Sequence, residues 1–223
     1  MHVCSSVKIF GHDFWGADIQ SNSSHKSYRP LTTFSFRLSR YATRHFFGWT
    51  DDQAPESVAT FIFHAENLLL HCLATALVYA LSLKICSRLC SVCAHRQLTV
   101  TTQTRDGRQT AHDCALISSL LFGVHPVHVE AVTGIVGRAE LLCAVFVFSA
   151  FWLWSVVTEH GPLLLLFCRG RSQGQYRASS LLGLSALVLV GVGALAKETV
   201  GPIAHFIFDV WTGHRCCRPH VCR

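Results

Sequence analysis

The sequence predicts an all-α membrane protein, a polytopic helical bundle, and three observations predict it. Half of its 223 residues are hydrophobic and only 14% are charged, whereas a soluble domain is charged at about a quarter of its positions. The apolar residues are gathered into runs, at 61–83, 114–124, 141–157, 179–196 and 199–211. The gaps between those runs alternate between basic and nearly neutral. Helices are the spanning structure of choice, because in hydrocarbon each backbone N–H and C=O needs an internal partner. Runs this continuously apolar do not fit the two-residue alternation of a membrane barrel.

Taken in order, residues 1–57 are mixed and aromatic, with turn-forming stretches at Ser21, Asn22, Ser23 and Ser24 and again from Asp51 to Pro55. The run 61–83 is long enough to cross a bilayer, which takes about 20 residues at roughly 1.5 Å each. A polar loop is expected at 84–112, then a short span ending at His125 and Pro126. A further span follows the polar-flecked stretch 125–140. A basic loop at 168–178 precedes the next run, Lys197 and Glu198 interrupt it, and a cysteine-rich tail closes the chain at 212–223. Residues 58–211 are thus expected to hold about five membrane helices, the second and fifth of them short.

The positive-inside rule orients them. Lys84, Arg88, Arg96, Arg105 and Arg108 lie in the first loop, Arg169, Arg171 and Arg177 in the second, and Arg215, Arg218 and Arg223 in the tail. These segments are two spans apart, so all belong on the cytosolic side. Residues 1–57, the stretch 125–140 and the Lys197–Glu198 turn then face the lumen. Lys26, Arg29, Arg37, Arg40 and Arg44 do not contradict this, since a long segment translocates largely regardless of charge. Asn22-Ser23-Ser24 is a glycosylation sequon, usable only on that side. The first ten residues have no long apolar core and do not read as a signal peptide. A leading span is therefore expected upstream of Met1, and the chain is expected to be an incomplete bundle.

Composition also excludes some functions. The net charge of +6 is modest, and the basic residues are not clustered with aromatics as a nucleic-acid surface requires. The membrane is the expected partner, and nucleic acid is not. Of the eleven cysteines, Cys72, Cys114 and Cys143 lie within apolar runs, where cysteine behaves as a small hydrophobe. Cys86, Cys90, Cys93 and His95 contain a single C-x-x-C, a weak zinc pattern, and membrane-proximal cysteines are equally targets for palmitoylation. The tail group Cys216, Cys217 and Cys222 reads the same way. No metal is expected.

The stretch His125-Pro126-Val127-His128-Val129-Glu130, continuing through Gly137-Arg138-Ala139-Glu140, carries the most chemistry. Ionisable groups at membrane depth are costly and usually face a cavity or one another. Pro126 fits a break in the helix, and Gly134 and Gly137 allow close backbone approach. As a luminal site, Arg138 would offer a planar fork to a phosphate or carboxylate. Glu130 would serve as an acid, a base or a hydroxyl acceptor, with His125, His128 and Glu140 beside them. As a structural bridge, Glu130 or Glu140 would pair with Arg138 and hold two spans together. The spacings of His125, His128 and Glu130 do not place all three on one helical face, which disfavours a metal.

His64, Asn67 and His71 follow one another at three and four residues, a single helical stripe expected to turn into the bundle as hydrogen-bonding glue. Glu66 lies off that stripe and is unassigned. Lys197 could hold an anion with Glu198 as its partner, or the two could form a self-neutralised turn. Trp15 and Tyr28 suit an interfacial position or a sugar-stacking surface.

Five ordered pieces resemble a known family. They are Asp13-Phe14-Trp15-Gly16; Ser24-His25-Lys26-Ser27-Tyr28-Arg29-Pro30-Leu31-Thr32; His64, Asn67 and His71; Leu121-Phe122-Gly123-Val124-His125-Pro126-Val127-His128-Val129-Glu130-Ala131-Val132 with Ile135-Val136-Gly137-Arg138-Ala139-Glu140; and Lys197-Glu198. Together they resemble the transmembrane and TPR repeat-containing (TMTC) family of endoplasmic-reticulum protein O-mannosyltransferases. The resemblance implies a bundle of the GT-C glycosyltransferase type in the endoplasmic-reticulum membrane. Such an enzyme would move mannose from dolichyl-phosphate mannose to Ser or Thr hydroxyls of secretory or cell-surface proteins, without a further cofactor. It makes Asp13 and Glu130 the candidate catalytic carboxylates. His125, His128, Arg138, Glu140, Lys197 and Glu198 become the candidate substrate-binding residues, with Arg138 and Lys197 on the phosphate. The acidic motif of the first luminal loop, expected close after the leading span, and the repeats are not in this sequence, and the tail has no family counterpart. Two other functions fit the composition. One is a non-catalytic membrane adaptor of the same architecture. The other is a transporter, which would be expected to show an internal repeat of its spans; none is visible.

Overall fold

The computed structural model describes residues 11–48, 56–96, 104–160, 173–197 and 200. Among them every regular element is helical, and the one extended pairing is an isolated bridge between His12 and Asp18. The helices are α1 (Pro30–Phe47), α2 (Glu56–Arg96), α3 (Thr104–Val124), α4 (Val129–Thr133), α5 (Arg138–His160) and α6 (Gln173–Ala196). Short 3₁₀ turns at Pro126–His128 and Ile135–Gly137 flank α4. This is an all-α membrane protein. Ser57–Cys90 and Ile135–Val156 are long and apolar enough to cross a bilayer. Gly107–Val124 and Pro126–Thr133 form a third span if counted together, bent by 47°, and Gly183–Ala196 is a shorter apolar helix.

Two elements depart from the sequence reading. Residues 84–96, expected in a loop, continue α2, which runs to 41 residues. No Gly or Pro interrupts Glu56–Arg96, so nothing local stops the helix when its composition turns polar. At about 1.5 Å per residue it is roughly 60 Å long, twice the hydrocarbon thickness, and its polar end projects beyond the membrane. Likewise α3 starts at Thr104, before the apolar run. Second, the segment 1–57 contains a helix of its own, α1. It opens with Pro30 in the first turn, where the missing N–H costs nothing.

Contacts of α2 with α3 and α5, and of α5 with α6, make the bundle. Small residues set the distances: a Cβ on Gly123 would lie 3.2 Å from Thr75 Cγ2, and one on Gly193 would lie 3.3 Å from Phe146 Cβ. Cys143, Val147 and Val200 form a small core between α5 and the end of α6. The last carbonyl of α6, Ala196, accepts a 3.0 Å hydrogen bond from Thr32 Oγ1 of α1. These contacts gather α1, the start of α2, the bent segment 125–137, the start of α5 and the end of α6 at one end of the bundle, and the loop 11–29 leads into α1 there. At the opposite end, Arg88 donates to the Ser155 carbonyl at 3.2 Å and Lys84 lies 5.5 Å from the Trp152 ring centre.

Candidate functional site

The polar end is organised around Arg138, which opens α5 and is 2% exposed. Its Nε donates to Asn67 Oδ1 at 3.1 Å, its Nη1 to Ser39 Oγ at 2.9 Å and its Nη2 to the Phe63 carbonyl at 3.2 Å. Nη2 also meets Glu66 Oε2 at 2.6 Å. Ser39 in turn donates to the same carboxylate oxygen at 2.6 Å. The guanidinium plane lies 4.5 Å from the Phe36 ring centre and 5.2 Å from that of Phe63. Burying a guanidinium is tolerable only when its charge is paired and its donors are satisfied. Here α1 and α2 supply both. The carboxylate that pairs with Arg138 is therefore Glu66, and neither Glu130 nor Glu140. Glu66 lies one turn from Phe63 on α2, beside the stripe of Asn67 and His71, and that position by itself does not mark it as the partner of Arg138.

Asn67, fully buried, does a second job. Its Nδ2 donates to the Gly134 carbonyl at 3.0 Å and to the Val132 carbonyl at 3.5 Å. These are carbonyls freed where the helix ends, and the side chain replaces the missing helical partner. Gly137 sits at the next turn, where a Cβ would collide with the Ala131 carbonyl oxygen and lie 2.6 Å from Ala131 Cα. Only glycine fits this approach.

The histidines surround the bend. His71 Nε2 lies 3.0 Å from the Gly123 carbonyl, donating to it as the Nε2–H tautomer. Its ring stacks on Phe122 and lies 5.2 Å from that of His128. His128 packs against Phe122 at 4.4 Å. His125 Nδ1 accepts from the Val127 amide at 3.2 Å, capping the 3₁₀ turn that Pro126 begins. His64 is half-buried one turn before Asn67. Glu130 is exposed, and its backbone carbonyl accepts from the Gly134 amide at 2.9 Å.

Glu140, two residues after Arg138, forms an ion pair with Lys197 at the end of α6. Both are accessible, with side-chain exposures of 48% for Glu140 and 18% for Lys197. Glu198, the partner suggested by sequence, lies outside the described residues. Among the described residues no three His, Cys, Asp or Glu side chains converge as a metal would require.

Asp13 is held by its own loop. Oδ1 accepts from the Trp15 and Ala17 amides at 3.0 and 2.8 Å. Oδ2 accepts from Ser24 Oγ at 2.7 Å and from the His25 amide at 3.1 Å. The Ser24 hydroxyl above all, with the three amides behind it, outweighs desolvation and holds this carboxyl below its usual range. Gly16, at φ 92°, closes the turn in a region that a side chain would disfavour. The sequon residue Asn22 is exposed on the same loop, while Ser24 is buried by its bond to Asp13.

No family model and no solved structure matches the chain. Curated relatives do. It is 39% identical over 197 residues to "Protein O-mannosyl-transferase TMTC4" of Mus musculus, covering 85% of this chain and 22% of the relative. It is 36% identical over 226 residues to "Protein O-mannosyl-transferase F38B6.6" of Caenorhabditis elegans, covering 97% of this chain and 24% of the relative. It is 36% identical over 145 residues to "Protein O-mannosyl-transferase Tmtc3" of Drosophila melanogaster, covering 65% and 14%. The chain belongs to the TMTC family. It spans between 14% and 24% of the length of these three relatives.

Within this TMTC chain the polar end divides in two. Arg138, Asn67 and Ser39 are buried and satisfy one another, with Glu66, 34% exposed, bonded to Arg138 and Ser39 through Oε2. Lys197, Glu140 and Glu130 are accessible, and offer an ammonium for an anion and carboxylates for a proton.

Proposed function

We propose that this chain is part of an enzyme that transfers mannose from dolichyl-phosphate mannose to Ser and Thr hydroxyls of secretory-pathway proteins in the endoplasmic-reticulum lumen. The observation that carries this reading is the relationship itself, 39% identity across 85% of the chain to a protein named for O-mannosyl transfer. The chemistry is compatible. A lipid-borne sugar phosphate presents its reacting carbon at the membrane surface, and the accessible groups of this chain lie at one end of an apolar bundle. In the transfer, the acceptor hydroxyl oxygen bonds to the sugar carbon as the carbon–oxygen bond to phosphate breaks. The hydroxyl proton passes to a carboxylate, and the departing dolichyl phosphate takes the bonding electrons. We assign Lys197 to the phosphate, with Glu140 released from its ion pair as the phosphate arrives. Glu130 is the exposed carboxylate for the acceptor proton. Asp13, a weak base because its lone pairs are already engaged, holds the loop. Arg138 holds the helices on which Glu140 and the bent segment are carried.

The burial of Arg138 among its own partners also fits the second reading, an adaptor of the same architecture that binds a protein without catalysis. Supplying the full-length protein to cells deficient in O-mannosyl transfer separates the two. Restored O-mannose on secretory proteins is the expected result. Stable expression without restored O-mannose overturns the enzymatic reading in favour of the adaptor.

A further inference from the structure

The loop 11–29 holds a feature that the chemistry above does not use. In the sequon Asn22-Ser23-Ser24 the asparagine amide is the acceptor of an N-linked glycan, and the hydroxyl two residues on is part of what the modifying enzyme reads. The folded loop treats the two groups oppositely. Asn22 and Ser23 are exposed, whereas Ser24 is 8% exposed. The Ser24 hydroxyl donates to Asp13 Oδ2 at 2.7 Å and accepts from the Lys26 amide at 3.1 Å, so it is engaged in both directions. The turn around it is closed as well: the Ser24 amide donates to the Ser21 carbonyl and the Ser23 amide to Ser21 Oγ, both at 3.2 Å. Asp13 holds that turn to the rest of the loop, since its oxygens also take the Trp15, Ala17 and His25 amides. Hydrogen bonds to an ionised acceptor are the strong ones, and a hydroxyl held this way is withheld from an enzyme. The unfolded loop offers the same hydroxyl freely. Asn22 stands well ahead of α2 in the chain, and an extended segment advances about 3.3 Å per residue, which carries the sequon clear of the membrane surface.

We propose that Asn22 carries an N-linked glycan attached before the loop 11–29 folds, and that Asp13 closes the sequon afterwards by taking the Ser24 hydroxyl. In the attachment, Asn22 Nδ2 bonds to the anomeric carbon of an oligosaccharide as the bond from that carbon to the pyrophosphate of its lipid carrier breaks. The lipid pyrophosphate leaves with the bonding electrons, and the amide gives up one proton to a base of the modifying enzyme. Once the loop has folded, the exposed Asn22 side chain holds the glycan in solvent, and the Ser24–Asp13 bond forms without involving it. The glycan requires the luminal placement of residues 1–57 on which the proposed function rests, and is independent of mannose transfer.

The test has two arms. In the first, the full-length protein is expressed in animal cells, alone and with a long glycosylation-acceptor tag inserted after Gly48, and occupancy is read by mass after enzymatic deglycosylation in heavy-oxygen water. A glycan on Asn22 is expected. A bare Asn22 in a protein whose tag is glycosylated overturns the site and leaves the luminal placement standing, whereas a bare Asn22 beside a bare tag overturns both. In the second arm, protein made while synthesis of the lipid-linked oligosaccharide is blocked is purified folded, then offered purified oligosaccharyltransferase and its lipid-linked donor. The parental protein is expected to be modified at Asn22 about tenfold more slowly than Asp13→Asn, which keeps the shape of the side chain and loses its charge. Equal rates overturn the role of Asp13. Gly137→Ala, whose damage lies at the bend, should stay at the parental rate. A rise to the Asp13→Asn level assigns the protection to the bundle at large, and likewise overturns the role of Asp13.

Discussion

Two ion pairs begin in the first turn of α5, and their surroundings differ. Arg138 is 2% exposed beside Glu66 at 34% and gives its donors to groups on α1 and α2, whereas Glu140, two residues on, is 48% exposed and meets Lys197 at 18%. A buried pair costs much to form and more to break, because removing one member strands the other in a medium that cannot solvate it. An exposed pair is nearly neutral to exchange. The motif Gly-Arg-Ala-Glu thus contains one charge committed to the fold and one available to a ligand.

The comparison is broken most directly at Arg138. Arg138→Ala takes the donor away from the buried Asn67 and Ser39 side chains, and a loss of about 2–4 kcal/mol is expected, read from unfolding of the purified protein in mixed micelles. Arg138→Lys should recover only part of it, since an ammonium on a flexible stem cannot reproduce three directed N–H bonds. Full stability in the alanine variant would erase the distinction between the two pairs. Next in size is Gly137→Ala, whose methyl group meets the Ala131 backbone. With no flexible side chain to yield, a cost of about 1–3 kcal/mol is expected in the same assay.

Lys197 and Glu140 sharpen the comparison from the other side. A double-mutant cycle with Lys197→Ala and Glu140→Ala should give a stability coupling of at most about 1 kcal/mol. O-mannosyl transfer by the full-length Lys197→Ala protein should fall at least tenfold. Transfer at the parental level would remove Lys197 from the phosphate. The smallest effect is expected at Asp13. Its carboxyl is held below the ordinary value of 3.8 in the folded loop. Its contribution is therefore fully present above that pH and is lost as pH falls through the lower folded value. Protease resistance of the loop 11–29 should be flat from neutral pH down to about 4 and decline below it. Asp13→Asn, which lacks the charge, should abolish that acid-dependent decline.

The bend at Pro126 was legible because it is local: proline removes a donor and crowds the preceding turn wherever it stands. The stripe through Asn67 and His71 was legible for the same reason, as helical periodicity decides which residues share a face. The length of α2 is not legible at 84–96, where polar composition suggests a loop although no Gly or Pro stops the helix. The partner of Arg138 is not legible, because Glu130 and Glu140, which the bridge alternative names, are near it in sequence, while Glu66 is near it only across packed helices.

The sequence by itself determined the fold class, since the length and apolarity of its runs leave helices as the backbone's way of meeting its own hydrogen bonds in lipid. It also marked where costly charges interrupt those runs. Tertiary structure alone decided which carboxylate neutralises Arg138, that Asn67 holds the bent segment, and that Asp13 is engaged by its own loop. Such pairings are set by distances of a few ångströms between side chains on different elements. Only the packing of one helix against another fixes those distances.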